Sequence, residues 1–294
     1  VSAGGPRSLD RRWAPAAPAL PVASSAFLVA LKVAGFLATG SLALGSAALD
    51  SLIDCFVYSA SFFARRRGAA PPDSDHAFGH GKYEDLAMLG QGLFLLGAAG
   101  SLVVAGVERL VSLELPHQTS LGMGVLTASL LLGILVTPRL ERAAEQSGSP
   151  ALKADSKHFR TDVWVNGTAL AALAVVRWTG WAPIDPLVAL LVAAYVFRNA
   201  AGLLLEALGG LSDRALPSAD LRRIEAVVAS FAPEAAGMHG LQTRRSGGRS
   251  FISFHLEIPR GTSFVAAHEL MVRVLRAVEQ ELPRSRVFVH GDPV

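Results

Sequence analysis

GSAALDSLIDCFVYSASFFA, Gly45–Ala64, has the length of a membrane-crossing helix yet carries two aspartates, Asp50 and Asp54. A helix needs about 20 predominantly apolar residues to span a bilayer, and an aspartate at its centre costs roughly 2.5–3.5 kcal/mol on insertion scales. A second stretch repeats the arrangement: LKADSKHFRTDVWVNGTALAALAVV, Leu152–Val176, carries His158 and Asp162 four residues apart. Between and around these two lie four cleaner apolar runs, Pro21–Ala38, Asp85–Leu110, Ser120–Leu140 and Pro183–Leu208. Together the segments predict an α-helical membrane protein of six transmembrane helices. Composition agrees, with 51% hydrophobic and only 17% charged residues, against about 25% charged in a soluble domain.

The distribution of basic residues predicts the orientation. Arg7, Arg11 and Arg12 precede the first helix; Arg65, Arg66, Arg67 and Lys82 lie between the second and third; Arg139, Arg142, Lys153, Lys157 and Arg160 cluster between the fourth and fifth. The alternate connections hold almost none: Gly40–Leu44 has no charge, Val111–Thr119 has no Lys or Arg, and Arg177 is alone in its turn. Short cytoplasmic loops favour Lys and Arg, so both termini are expected in the cytoplasm. This pattern also explains the pI of 9.3 without nucleic acid, which a net charge of +3 would serve poorly.

Two segments flank the helices. Residues 1–20 are Pro/Ala-rich, lack the layout of a signal peptide and are expected to be a flexible lead-in to a membrane domain over 21–210. After Leu208 the composition becomes that of a soluble domain, expected over 216–294. Leu221–Phe231 and Val265–Leu282 read as helices. Ser250–Ile258 alternates, with Ile252, Phe254, Leu256 and Ile258 on one face, and Arg286–His290 reads as a last strand. Helix, strand, strand, helix, strand predicts a small α+β domain.

Residues at i and i+4 share a helix face, with Cβ atoms about 5–6 Å apart. Asp50 and Asp54 facing His158 and Asp162 would converge carboxylates and one imidazole on a point, an N/O set suited to a tetrahedral ion such as zinc. Any one of these residues could instead cap a helix or reach the interface, but two such pairs point to function. No Lys or Arg is spaced to act as counter-ion, so a bound divalent cation is expected to fill that role. Tyr58 and Asn166 continue the two stripes by a turn. Cys55 is the single cysteine, which excludes an internal disulfide and thiolate cages. It points about 100° away from Asp54.

These residues carry a family resemblance. GSLALGSAALDSLIDC (Gly40–Cys55), DSDHAFGHGKYEDLA (Asp73–Ala87), LKADSKHFRTDVWVNG (Leu152–Gly167), LSDRALP (Leu211–Pro217) and FISFHLE (Phe251–Glu257) resemble the cation diffusion facilitators. The likeness is strongest to the bacterial zinc and ferrous-iron efflux (YiiP-like or FieF-like) type. The resemblance implies a homodimer of the inner membrane that exports divalent metal ions in exchange for protons, with Zn2+ both transported and regulatory and Fe2+, Cd2+ or Co2+ as further candidates. It also implies that Asp50, Asp54, His158 and Asp162 form the transport site, and that Asp73, His76 and His80 form a second site in a loop. His239, His255, His268, His290 and Asp292 match a binuclear cytoplasmic site, where Gly291 replaces a residue that is often polar. Lys82 and Asp213 match a charge pair that ties the cytoplasmic helix ends across the dimer.

Other classes fit less well. An intramembrane aspartyl protease would pair two aspartates around one proton, typically within G-x-G-D, which is absent. His268-Glu269 lacks the second histidine of H-E-x-x-H, so a zincin is excluded. A passive metal channel or a membrane-tethered metal sensor could use the same ligands. The expected mechanism is alternating access. Metal ligands must shed protons before they bind, and His158 and the carboxylates suit such an exchange. Gly92, Gly97, Ala98 and Gly100 are expected to let helices approach closely.

Overall fold

A computed structural model describes residues 19–39, 42–112, 120–180 and 183–294. All but the last two residues of the expected lead-in, with Arg7, Arg11 and Arg12, lie outside the described residues. So do parts of the connections at 40–41, 113–119 and 181–182. Six long helices come first: α1 (Leu20–Thr39), α2 (Leu42–Gly68), α3 (Lys82–Ser112), α4 (Ser120–Ser147), α5 (Pro150–Thr179) and α6 (Ile184–Leu211). The tail follows as α7 (Ser218–Ala229), β1 (Gly237–Ser246), β2 (Arg249–Ile258), α8 (Phe264–Glu281) and β3 (Ser285–Pro293).

Five of the long helices are apolar enough to cross a membrane by composition, and α5 is the exception. Its first half carries Lys153, Asp155, Lys157, His158, Arg160 and Asp162. The ends of α5 are nevertheless well specified. Ser149 caps it by accepting from Leu152 N at 3.2 Å, Pro150 supplies the first turn, and Gly180 closes it in the left-handed region at φ 69°. A proline at the start and a left-handed glycine at the end suit the orphan groups of a helix. Large side chains such as Phe56, Leu191 and Trp178 point outward, 74%, 72% and 88% exposed, as lipid-facing positions require.

Two clusters hold the helices together. Tyr58, Val136, Leu140, Leu152 and Phe159 join α2, α4 and α5. Met88, Leu95, Ala99, Ala154, Val196, Ala200 and Leu203 join α3, α5 and α6. The close approach of α3 to α6 runs through Gly92 and Gly106, where an added Cβ would lie 2.9 Å from Leu204 and 3.0 Å from Leu190. This corrects the expectation for Gly97 and Gly100, which have nothing within 4 Å and lie on the outer face of α3.

In the tail, β1 runs antiparallel and β3 parallel to the central β2. One face of β2 presents Ile252, Phe254, Leu256 and Ile258 to Ile224 and Val228 of α7 and to Leu270, Val274 and Val278 of α8. On the opposite face Phe251 is covered by Phe78 and Arg244, and the face is open farther along, around Ser253 and His255. The turn between β1 and β2 docks on the membrane domain. Asp85, fully buried at the start of α3, accepts a hydrogen bond from Gly247 N at 3.0 Å. Gly247 has φ +58°, and a Cβ at Gly81 would fall 2.5 Å from Ser246 O, so this approach requires glycine on both sides.

Candidate metal centres

The helical repeat places Asp54 on α2 and His158 and Asp162 on α5 at one level of the bundle. Ligand atoms of these three residues lie within 4.8 Å of one another. His158 Nε2 is 3.5 Å from Asp54 Oδ1 and 3.8 Å from Asp162 Oδ1. His158 is 3% exposed, flanked by the rings of Tyr58 at 5.1 Å and Phe94 at 5.6 Å. Asp50 is not in this group: it is exposed one turn earlier on α2. Two carboxylates and one imidazole therefore converge within the chain, and the fourth expected ligand stands apart.

The helices also supply residues that spacing did not reveal. Gln91 of α3 approaches His158 Nδ1 at 3.3 Å. The expectation that no basic residue serves the site is corrected by Lys32 of α1. Its Nζ donates to Ser51 Oγ at 2.6 Å, and its charge attracts Asp54, Asp162 and Asp50. A lone lysine on another helix leaves no periodic trace beside the ligands. Further along α2 and α5, Arg65 and Asp155 form a buried ion pair assisted by Ser61. Asp155 lies one turn from His158 on the same helix, and a further carboxylate within an expected membrane helix was the available signal. Tyr58 does line the site, as its place on the α2 stripe suggested.

The loop between α2 and α3 gathers Asp73, His76 and His80. Asp73 Oδ1 accepts from His76 N at 2.7 Å and lies 3.1 Å from His76 Nδ1, while Oδ2 lies 3.2 Å from His80 Nε2. The D-x2-H-x3-H spacing thus closes into a turn in which one carboxylate organises both imidazoles. Desolvation pulls the Asp73 carboxyl up, but these hydrogen bonds and the facing histidines outweigh it and hold it below the usual carboxylate range.

In the tail, strand register does the gathering. His239, His255 and His290 are paired partners across β1, β2 and β3, so the three imidazoles form a row on the open face. Their rings are 5.1 and 5.0 Å apart along the row. Asp292 meets all three, at 3.2 Å from His239 Nε2, 2.9 Å from His255 Nδ1 and 3.3 Å from His290 Nε2. The hydrogen bond from His255 holds its carboxyl below the usual range. Glu257, not anticipated as a ligand, lies 3.0 Å from His239 Nδ1; it is two residues after His255 and therefore on the same face. His268 is not in this row. It stands on α8, in the helical layer that covers the other face of the sheet, beside the Phe264 ring at 6.4 Å. Gly291 alternates away from the row as well, and a Cβ there would press on Met271 Sδ at 2.9 Å.

Charged pairs connect the two halves. Lys82 and Asp213 meet at 3.0 Å within one chain, and Arg244 joins them at 3.2 Å. Desolvation opposes it, but the hydrogen bonds from Lys82 and Arg244 keep the Asp213 carboxyl low. Glu206 near the end of α6 bridges Lys153 of α5 at 2.7 Å and Arg245 of β1 at 3.3 Å.

Known proteins share this plan. Residues 20–212 match the cation efflux transmembrane domain and residues 216–294 the cation efflux protein cytoplasmic domain. The cation-efflux pump FieF of Yersinia pestis (strain Pestoides F) is 36% identical over 282 residues, covering 96% of this chain and 93% of that protein. FieF of Yersinia pseudotuberculosis serotype O:3 (strain YPIII) matches to the same extent. Among solved structures, the metal-bound C-terminal domain of the CzcD transporter from Thermotoga maritima is 27% identical, covering 26% of this chain and 94% of that one, with a TM-score of 0.25. Matches over both halves, in order and nearly end to end, show that the chain belongs to the cation efflux family and is a membrane transporter, not an enzyme.

Proposed function

We propose that this transporter exports a divalent transition metal, zinc before iron, cadmium or cobalt, from the cytoplasm by proton-coupled alternating access. It works as a homodimer in the inner membrane with both termini in the cytoplasm. The observation that carries the reading is the convergence of Asp54, His158 and Asp162 between α2 and α5, with ligand atoms within 4.8 Å of one another. One nitrogen and two carboxylate donors suit a borderline ion such as zinc. Asp50, one turn away on α2, is the fourth ligand in this reading and joins the site as the helices shift.

Each ligand must lose its proton before it binds the ion, so metal release to one side and proton uptake from the other are two faces of one exchange. The Arg65–Asp155 pair ties α2 to α5 along the same helices that carry the ligands, and parting it opens a route between them. The Asp73, His76 and His80 cluster and the histidine row of the tail bind regulatory metal outside this path.

The test is zinc flux in proteoliposomes under an imposed pH gradient. Wild type should move zinc against its concentration gradient, and Asp54→Ala or Asp162→Ala should retain less than about a tenth of that rate, given the roughly 10–100-fold losses seen even for outer-shell changes. Flux that only ever runs downhill would mean a passive channel, and metal binding without flux would mean a sensor.

A further inference from the structure

We propose that Gln91 orients His158 for metal binding, by accepting the hydrogen on Nδ1 and so leaving the Nε2 lone pair to the ion. The inference rests on the reading of His158 as a transport-site ligand. Gln91 projects from α3, is 1% exposed, and its amide nitrogen lies 3.3 Å from His158 Nδ1. The opposite edge of the ring, Nε2, faces Asp54 at 3.5 Å and Asp162 at 3.8 Å. Tyr58 and Phe94 flank the imidazole at 5.1 and 5.6 Å, so the ring cannot easily exchange its edges.

An imidazole binds a metal through a nitrogen that carries no hydrogen, and its other nitrogen must then carry one and needs an acceptor. Among the described residues, the Gln91 amide is the group within hydrogen-bond reach of the Nδ1 edge. Its Oε1 is buried and has no partner. The two ends of an amide are nearly isosteric, so a half-turn of this group puts Oε1 where the nitrogen stands. There it accepts from Nδ1–H. That is the arrangement metal binding at Nε2 requires, and it satisfies the orphaned oxygen. Gln91 is thus a positioning residue: it acts on the ion through His158.

Two substitutions separate this role from packing. Gln91→Met keeps the length and burial without the acceptor, whereas Gln91→Glu keeps the acceptor. Both are made in full-length protein carrying Asp73→Ala, His76→Ala, His239→Ala and His255→Ala, which silences the loop and tail clusters. Zinc is titrated against a fluorescent chelator. Gln91→Met should weaken zinc binding about 10–100-fold, the usual cost of losing a second partner of a ligating histidine, while Gln91→Glu stays within a few-fold of the parent or binds more tightly. Equal affinity in Gln91→Met and the parent overturns the proposal, as does equal weakening by both variants, which would mark a packing defect. If Gln91→Met does not fold, 15N spectra of the zinc-loaded parent decide. They should place the His158 hydrogen on Nδ1, and a hydrogen on Nε2 overturns the proposal. His158→Ala binding zinc as tightly as the parent would refute the ligand assignment itself, and the role of Gln91 with it.

Discussion

Lys32 places a positive charge beside Asp54, Asp162 and Asp50, at the proposed transport site. Its hydrogen bond to Ser51 at 2.6 Å anchors it three residues before Asp54, on the same face of α2. From there it attracts Asp54, Asp162 and Asp50, which eases the cost of holding carboxylates between membrane helices. The same charge repels a divalent cation. Replacing Lys32 with methionine should therefore tighten zinc binding about tenfold, since ~1.4 kcal/mol of relieved repulsion is modest at an effective dielectric near 20. Lys32→Arg should bind as wild type. Chelator competition on purified protein checks both, and an affinity that falls in Lys32→Met would make the lysine a strut between α1 and α2 instead. Spacing picked out His158 and Asp162 because they share one helix and leave an i, i+4 trace, and it picked out Asp54 beside Asp50, which stands apart from the cluster. It could not reveal Lys32 or Gln91, which enter from other helices and are joined to the site only by the folded bundle.

At the level of elements, hydropathy marked five of the six long helices because lipid demands long apolar segments. The helix α5, with its polar first half, showed instead through its length and the His158/Asp162 pair, and strand alternation marked β2 because one face is covered by α7 and α8. Which faces meet was less legible. Small residues along α3 look equivalent in sequence, yet Gly92 and Gly106 touch α6 whereas Gly97 and Gly100 meet nothing within 4 Å. The difference depends on the rotation of α3 about its own axis, which the buried Met88, Leu95 and Ala99 fix against α6. Gly92→Val should drive a Cβ to 2.9 Å from Leu204 Cδ2 and 3.3 Å from its backbone nitrogen. The side chain can swing aside but the backbone cannot, so an overpacking cost of about 1–3 kcal/mol is expected. Gly97→Ala should be neutral or slightly stabilising, because alanine is the better helix former. Thermal unfolding of the two variants in detergent compares them directly, and equal midpoints would mean that α3 and α6 part without resistance at Gly92.

On the scale of the whole molecule, the tail is tied to the helices that carry the proposed transport site. The route is short: the histidine row begins on β1 at His239, and the same strand bears Arg245, which pairs with Glu206 of α6 at 3.3 Å. Glu206 also holds Lys153 at 2.7 Å, on the helix that presents His158 and Asp162. Metal on the tail row would fix the His239, His255, His290 and Asp292 side chains across the paired strands β1, β2 and β3, and a resulting shift of β1 would reach α5 and α6 through Glu206. Strand register made the row partly legible in sequence, since His290 and Asp292 are two apart, but the bridge is a contact between domains and leaves no local pattern. His255→Ala with His290→Ala should therefore raise the zinc concentration needed for half-maximal transport without abolishing transport. Glu206→Gln leaves every proposed ligand in place and should produce the same displaced curve, because the tail still binds metal but no longer grips α5 and α6. Zinc dependence of flux in proteoliposomes, measured beside zinc binding by the tail, tests this. If Glu206→Gln shows wild-type dependence while the histidine variant is displaced, the tail must act by another route, through Asp85 and Gly247 or through Lys82, Asp213 and Arg244.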